Sequence, residues 1–217
     1  MEATRSYDFS AKYLENLLQG NRRNCSAIAK QYLAQNPSFL QLYEEVFKVA
    51  LYEVGRLWET NQISIASEHI ATAITEGILN EHFEQIISKT RLNRKVVVAC
   101  VEDEKHQVGI KMVADTFEMH GWESFFLGSG ISIVELIRYI HEVKPDMLAI
   151  SLSIYFNFAN LVKMLNKLRG EFPELQIIIG GQAFKHVSAE LISKVGNVVI
   201  LTDLYLLEKF INVLNSK

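Results

Sequence analysis

The stretch VVVACVEDEKHQVG, residues 96–109, decides the fold. Its first six residues are an unbroken apolar run. Such a run suits a strand covered on both faces, as parallel strands are. EKHQVG, residues 104–109, then sets a carboxylate, a histidine and a glycine where the strand gives way to helical spacing. Further strands read outward from here at ESFFLG (123–128), DMLAISL (146–152), LQIIIGG (175–181) and VVILT (198–202). Helical spacing falls between and after them, near 107–121, 132–143, 157–171, 187–194 and 204–215. Strand alternating with helix five times predicts an α/β domain over 91–217, a flavodoxin-like (Rossmann-like) five-stranded parallel sheet. Ligands in such sheets bind beyond the carboxyl ends of the strands. Glu104–Gly109, Ser151 and Gly180–Gly181 all fall at such ends.

Ahead of KTRLNRK (89–95) the pattern is helical and β-branched runs are absent. Helices are predicted near 9–19, 23–34, 38–59 and 64–89, which makes residues 1–90 a four-helix bundle. Asp8 or Ser10 is the expected cap of the first, and Gly20 with Asn21 ends it. Asn36 and Pro37 separate the second from the third. Leu42, Val46, Val49, Ala50, Val54 and Leu57 form the expected core stripe of the third, and Ser64 caps the fourth.

A chain of 217 residues, 49% hydrophobic, is long enough for a real core in each half. The net charge of −3 offers no clustered basic face for nucleic acid. Cys25 and Cys100 lie far apart and form no CxxC, which fits a reducing cytoplasm without disulfides. No apolar run reaches the roughly 18 residues that a membrane span needs, and the N-terminus has no signal-peptide pattern.

By itself His106 reads as a surface residue or a local hydrogen bonder. Its neighbours change that reading. Glu104 can hold one ring nitrogen and leave the other for a metal, since a carboxylate behind an imidazole fixes its orientation and raises its basicity. Gly109 suits close approach of a bulky group to the backbone. The residues resemble the cobalamin (vitamin B12)-binding domains of the methionine synthase type. Those domains carry Asp-x-His-x-x-Gly, about forty residues, Ser-x-Leu, just under thirty residues, and Gly-Gly. Here Glu104-x-His106-x-x-Gly109 is followed by 41 residues and Ser151, and Ser153 by 26 residues and Gly180–Gly181. The resemblance implies that His106 ligates cobalt from below, displacing the cofactor's own dimethylbenzimidazole. It implies that Gly180 and Gly181 make room for the nucleotide tail and that Ser151 bonds the displaced base. Glu104 stands where the family has Asp, and Ser153 where it has Leu.

The helical half adds WETNQISIASEH, residues 58–69. Its bland reading is a core tryptophan and a solvated Glu–His pair in a first helical turn, where a carboxylate suits the helix dipole. It also resembles, as Trp58-x9-Glu68-His69, the helical cap of adenosylcobalamin-dependent light-sensing transcription regulators. That resemblance implies that Trp58 packs on the adenosyl group, Glu68 contacts it and His69 lies close by. Those sensors place a histidine after the tryptophan to capture cobalt after photolysis; this chain has Glu59. They also begin with a winged-helix DNA-binding domain of about seventy residues. Only a few residues precede the first helix here, so any regulation of transcription is expected to act through a protein partner or a change of oligomer.

The expected function is therefore a cobalamin-binding sensor, a photoreceptor using adenosylcobalamin. The alternative is a corrinoid carrier subunit of a methyltransferase system, with methyl- or hydroxocobalamin. An adenosyl-radical isomerase would need a substrate barrel for which 217 residues leave no room. No separate nucleophile or acid–base pair appears, so the chain by itself is expected not to be an enzyme. Among the remaining residues, His120 and His141 sit near helix C-termini, His82 reads as solvated and His186 as exposed, beyond Gly-Gly. Phe156 and Phe158 read either as pocket lining or as core, and Thr202 and Asp203 as tail contacts by position.

Overall fold

The computed structural model describes residues 2–185 and 198–216, with side chains from residue 8 onward. The expected helix at 187–194 and His186 lie outside the described residues. The chain divides into two compact units, Met1–Ile86 and Ile87–Lys217.

The first unit is helical. α1 (Glu2–Leu18) and α2 (Arg22–Gln35) are followed by α3, an unbroken run through Phe39–Gln41, the π-helical Leu42–Phe47 and Lys48–Glu59. α4 (Ile65–Glu81) and the short α5 (Phe83–Ile86) complete it. α1 begins well before the expected cap. Asp8 lies inside it, ion-paired with Lys12 at 2.7 Å, so neither Asp8 nor Ser10 caps it. Gly20, at φ +67°, ends α1 in a conformation that glycine adopts without steric cost. The hydroxyl of Ser64 accepts from Ser67 N at 3.1 Å and caps α4 as expected.

Tyr13, Leu42, Tyr43, Val46, Phe47, Ala50, Val54 and Ile78 fill the core of this unit. The π segment adds residues per turn and shifts the phase of every later side chain. Val49, expected in the core stripe, is consequently 46% exposed, and Leu57 is only half-buried. His82 is also a correction. It breaks the expected single helix 64–89, is buried against Phe39 with ring centroids 5.4 Å apart, and its Nε2 has no hydrogen-bond partner among the described residues.

The second unit is the predicted α/β fold. Its strands are β1 (Lys95–Cys100), β2 (Glu123–Gly128), β3 (Met147–Ser151), β4 (Gln176–Gly180) and β5 (Val198–Ile200), all parallel, in the order β2-β1-β3-β4-β5. Helices α6 (Val108–Met119), α7 (Ile133–Val143), α8 (Phe158–Glu171) and α9 (Leu204–Asn215) connect and close it. Val97, Ala99 and Val101 alternate with Val96, Val98 and Cys100 across the sheet, and all six are buried. The first set packs with Leu136, Ile140, Leu161 and Leu165 of α7 and α8, while α6 lies on β1 and β2 and packs against α9. Burial on both faces explains the unbroken apolar run, at about 1.5–3 kcal/mol for each large side chain. The order 2-1-3-4-5 reverses direction between β1 and β3, which is where such sheets open a crevice at the strand ends.

Candidate functional site

The loop after β1 carries the acid and the histidine into that crevice. Asp103 takes φ +70° and turns the chain. Glu104, 1% exposed, sits under the loop with both carboxylate oxygens engaged. Its Oε1 accepts from His106 N at 3.1 Å and from His106 Nδ1 at 2.5 Å. Its Oε2 accepts from Ser153 N at 3.0 Å and from Ile154 N at 2.9 Å. One carboxylate therefore joins the loop after β1 to the loop after β3. The extra methylene relative to Asp does not prevent contact with the imidazole.

Burial pushes the Glu104 carboxyl up, but the hydrogen bonds from His106 and Ile154 outweigh it, and the group ends at about 2. An acid held ionised takes the Nδ1–H of His106 as its donor. The neutral tautomer then carries its lone pair on Nε2, the nitrogen a metal would have to take. The His106 side chain is 41% exposed while that of Glu104 is fully buried. Cys100 supports the arrangement from the strand end, its thiol lying 3.6 Å from His106 O.

Ser151 ends β3 and is buried, at 5% exposure. Ser153 meets Glu104 through its backbone N–H. A Cβ on Gly109, at the start of α6, would meet nothing within 4 Å, so that side of the helix is open to an approaching group. Gly180 and Gly181 differ. A Cβ on Gly180 would lie 2.5 Å from Leu201 O, and one on Gly181, at φ +116°, would lie 2.2 Å from Leu152 O. The protein's own backbone fills the space beside both, so the strand ends themselves demand glycine here. Asp203 caps α9, its Oδ1 accepting from Leu206 N at 2.8 Å, and Thr202 stands beside it.

Three polar residues that position this site went unread in the sequence. Gln107 Oε1 accepts from Ser129 N at 3.1 Å and from Ser129 Oγ at 3.0 Å, tying the loop after β2 to the histidine loop. Asn160 donates to Asp103 Oδ2 at 3.3 Å, a second tie between the loops after β1 and β3. The sequence signal available for two of them was their place, Gln107 next to His106 and Asn160 at the end of FNFAN (156–160). Phe156 is 90% exposed and is not core, whereas Phe158 packs against the sheet's core.

In the helical unit, Trp58 lies in the last turn of α3, half-buried. Glu68 and His69 lie in the first turns of α4, across the turn that links the two helices. Glu68 Oε2 accepts from His69 Nδ1 at 2.5 Å, and its Oε1 accepts from Thr72 Oγ1 at 2.8 Å. His120 and His141 are where the sequence put them, at helix C-termini; His141 Nε2 is 2.8 Å from Glu171.

His106 is an imidazole oriented by a buried ionised carboxylate at the switch point. Residues 94–203 match the family model described as "B12 binding domain", and residues 10–81 match a second model of that description. The chain belongs to the B12-binding domain family. It is a cobalamin-binding protein whose helical and α/β units both match that family. It is similar to trimethylamine corrinoid protein 1 of Methanosarcina acetivorans, 24% identical over 178 residues, covering 79% of this chain and 82% of that one. It is similar also to the HTH-type transcriptional repressor CarH of Myxococcus xanthus, 25% identical over 159 residues, covering 73% of this chain but 52% of the repressor. Among solved structures, the monomethylamine corrinoid protein of Methanosarcina barkeri shares the fold, with TM-score 0.81 at 14% identity over 97% of this chain and 99% of that one. Among the described residues no helix is long and apolar enough to cross a membrane.

Proposed function

We propose that this protein is a corrinoid carrier, which holds cobalamin for a partner methyltransferase and is not itself an enzyme. The observation that carries the proposal is the Glu104–His106 pair at the β1/β3 switch point, an imidazole already oriented to hold the cofactor's cobalt. Similarity to a trimethylamine corrinoid protein along 82% of that protein's length favours a carrier over the sensor expected from the sequence, since the repressor CarH is spanned only by half. When bound, the cofactor supplies a cobalt–carbon bond that can be made and broken.

The chain's own residues hold and orient. His106 Nε2 would hold the cobalt, while Glu104 fixes the ring and keeps Nδ1 protonated. Ser151 offers a buried hydroxyl to the displaced base, while Gly180, Gly181 and the Ser153 loop shape the strand ends along which the tail would run. Trp58, Glu68 and His69 are the helical unit's candidates for contact with the upper ligand.

The second reading, a sensor using adenosylcobalamin, rests on the Trp58-x9-Glu68-His69 pattern. One experiment separates them. The protein is titrated in the dark with methyl-, hydroxo- and adenosylcobalamin, and its elution volume is measured before and after green light. A carrier binds the methyl and hydroxo forms at least as tightly as the adenosyl form, and its elution volume does not respond to light. Preferential binding of the adenosyl form, with bleaching and a changed elution volume, would overturn the carrier in favour of the sensor.

A further inference from the structure

Gln107 stands at the N-cap of α6 but does not cap it, since its side chain makes no hydrogen bond to the helix. Serine, threonine, aspartate or asparagine at that place would satisfy a free N–H of the first turn. The longer side chain of Gln107 reaches the loop after β2 instead. Its Oε1 accepts from Ser129 N at 3.1 Å and from Ser129 Oγ at 3.0 Å. That loop is shaped to receive it. Ser129 lies between Gly128, at φ +65°, and Gly130, at φ +80°. A Cβ on Gly128 would lie 2.6 Å from Gln107 Oε1, so glycine there allows both the turn and the close approach of the amide.

His106 sits between this tie and a second one. Glu104 Oε1 holds its N–H and its Nδ1, and Glu104 Oε2 holds Ser153 N and Ile154 N. Glu104 fixes the direction of the ring. The position of the ring depends also on the backbone that follows His106. That backbone enters the first turn of α6, where Lys111 N donates to Gln107 O at 2.9 Å, and the Gln107 side chain ties the turn to Ser129. We propose that Gln107 is a positioning residue for His106, which makes ligation of cobalt depend on the loop after β2. This rests on the reading of His106 as the cobalt ligand and adds a route of control to it, because a displacement of Ser129 is passed to the residue beside the ligand. Partners that hold a ligand from outside the metal's own contacts tune its affinity in this way.

The test compares Gln107→Leu, Gln107→Glu and Ser129→Ala in the full chain. Affinity for hydroxocobalamin is measured, and electron paramagnetic resonance is recorded on bound cob(II)alamin with the protein's histidines labelled with nitrogen-15. Gln107→Leu removes the acceptor and should weaken binding about tenfold, the scale of one or two hydrogen bonds. It should also let a triplet from the cofactor's own base join the doublet from His106. Gln107→Glu keeps an oxygen for both Ser129 donors and should restore the affinity and the doublet. Ser129→Ala keeps the N–H donor and should fall between. Wild-type affinity with a pure doublet in Gln107→Leu overturns the proposal. Weaker binding with a pure doublet overturns it too, by showing that Gln107 holds the loop without acting on His106. A Gln107→Glu variant no better than Gln107→Leu overturns it by showing that the acceptor is not what counts. If Gln107→Leu does not fold, Ser129→Ala decides: a triplet component supports the proposal and a pure doublet overturns it. A triplet in the labelled wild-type protein removes the reading of His106 as ligand, a result distinct from one seen only in the variants.

Discussion

Replacing Glu104 by Gln keeps the size of the side chain and removes its charge. The native carboxylate accepts four hydrogen bonds, two on each oxygen. A glutamine can satisfy one pair with its oxygen, but its NH2 must then face the other pair of donors. Hydrogen bonds to a charged group contribute about 1.5–3 kcal/mol each, and a buried donor left unpaired costs about 1–3 kcal/mol. The titration gives a second route to the magnitude. Glu104 falls from an ordinary 4.5 to about 2 in the fold. At 1.36 kcal/mol per pH unit that is about 3 kcal/mol. The folded value is below the unfolded one, so this stability is present above about pH 4.5 and is lost as the pH falls towards about 2. The assay is urea unfolding of wild type and Glu104→Gln in a Trp58→Phe background, with the buried Trp122 of the α/β unit as the fluorophore. The gap between them should be about 3 kcal/mol at pH 5 and close to about 1 kcal/mol at pH 3. A gap that stays constant over that range, or lies below about 0.5 kcal/mol at pH 5, would refute the argument that an ionised Glu104 holds the two loops.

Gly181→Ala should destabilise the α/β unit by more than about 3 kcal/mol or prevent its folding, since a 2.2 Å approach to Leu152 O combines with φ +116°; chemical denaturation checks it. Gly109→Ala should leave stability unchanged or raise it by up to about 1 kcal/mol, because its Cβ meets open space, and should weaken cobalamin binding. His82→Phe should stabilise the helical unit by about 1 kcal/mol, read in its thermal midpoint, by removing the orphaned Nε2. Trp58→Ala should narrow any difference in affinity between adenosyl- and hydroxocobalamin; an equal difference in wild type and variant would remove Trp58 from the upper-ligand contact.

The α/β unit was legible because parallel strands buried on both faces leave unbroken apolar runs, and VVVACV and DMLAISL leave no other reading. The three separated elements of the candidate site, Glu104–Gly109, Ser151–Ser153 and Gly180–Gly181, can be placed at one end of the sheet from sequence because the strand ends converge in this topology. Contacts that depend on three dimensions were not legible. Gln107 and Asn160 are ordinary polar residues in sequence, and only the meeting of the loops gives them partners. His82 read as solvated because a helical period carried through 64–89, whereas packing against Phe39 breaks the helix there. Val49 failed for a similar reason, since a π segment is invisible to a constant period. The sequence gives no sign that the glycine pair has a structural reason of its own, since only the fold brings the carbonyls of Leu201 and Leu152 to where a Cβ at Gly180 or Gly181 would lie. Function was the least legible part. Trp58-x9-Glu68-His69 drew the reading towards a light sensor, while likeness along the length of a corrinoid protein draws it towards a carrier.

The claim that His106 Nε2 is the axial ligand is tested most directly by electron paramagnetic resonance of the chain loaded with cob(II)alamin, with the protein's histidines labelled with nitrogen-15 and the cofactor unlabelled. Ligation by His106 predicts that each cobalt line splits into a doublet, and that His106→Ala abolishes the doublet. A triplet in the labelled wild-type protein would mean that the cofactor's own dimethylbenzimidazole remains on cobalt, and would contradict the account.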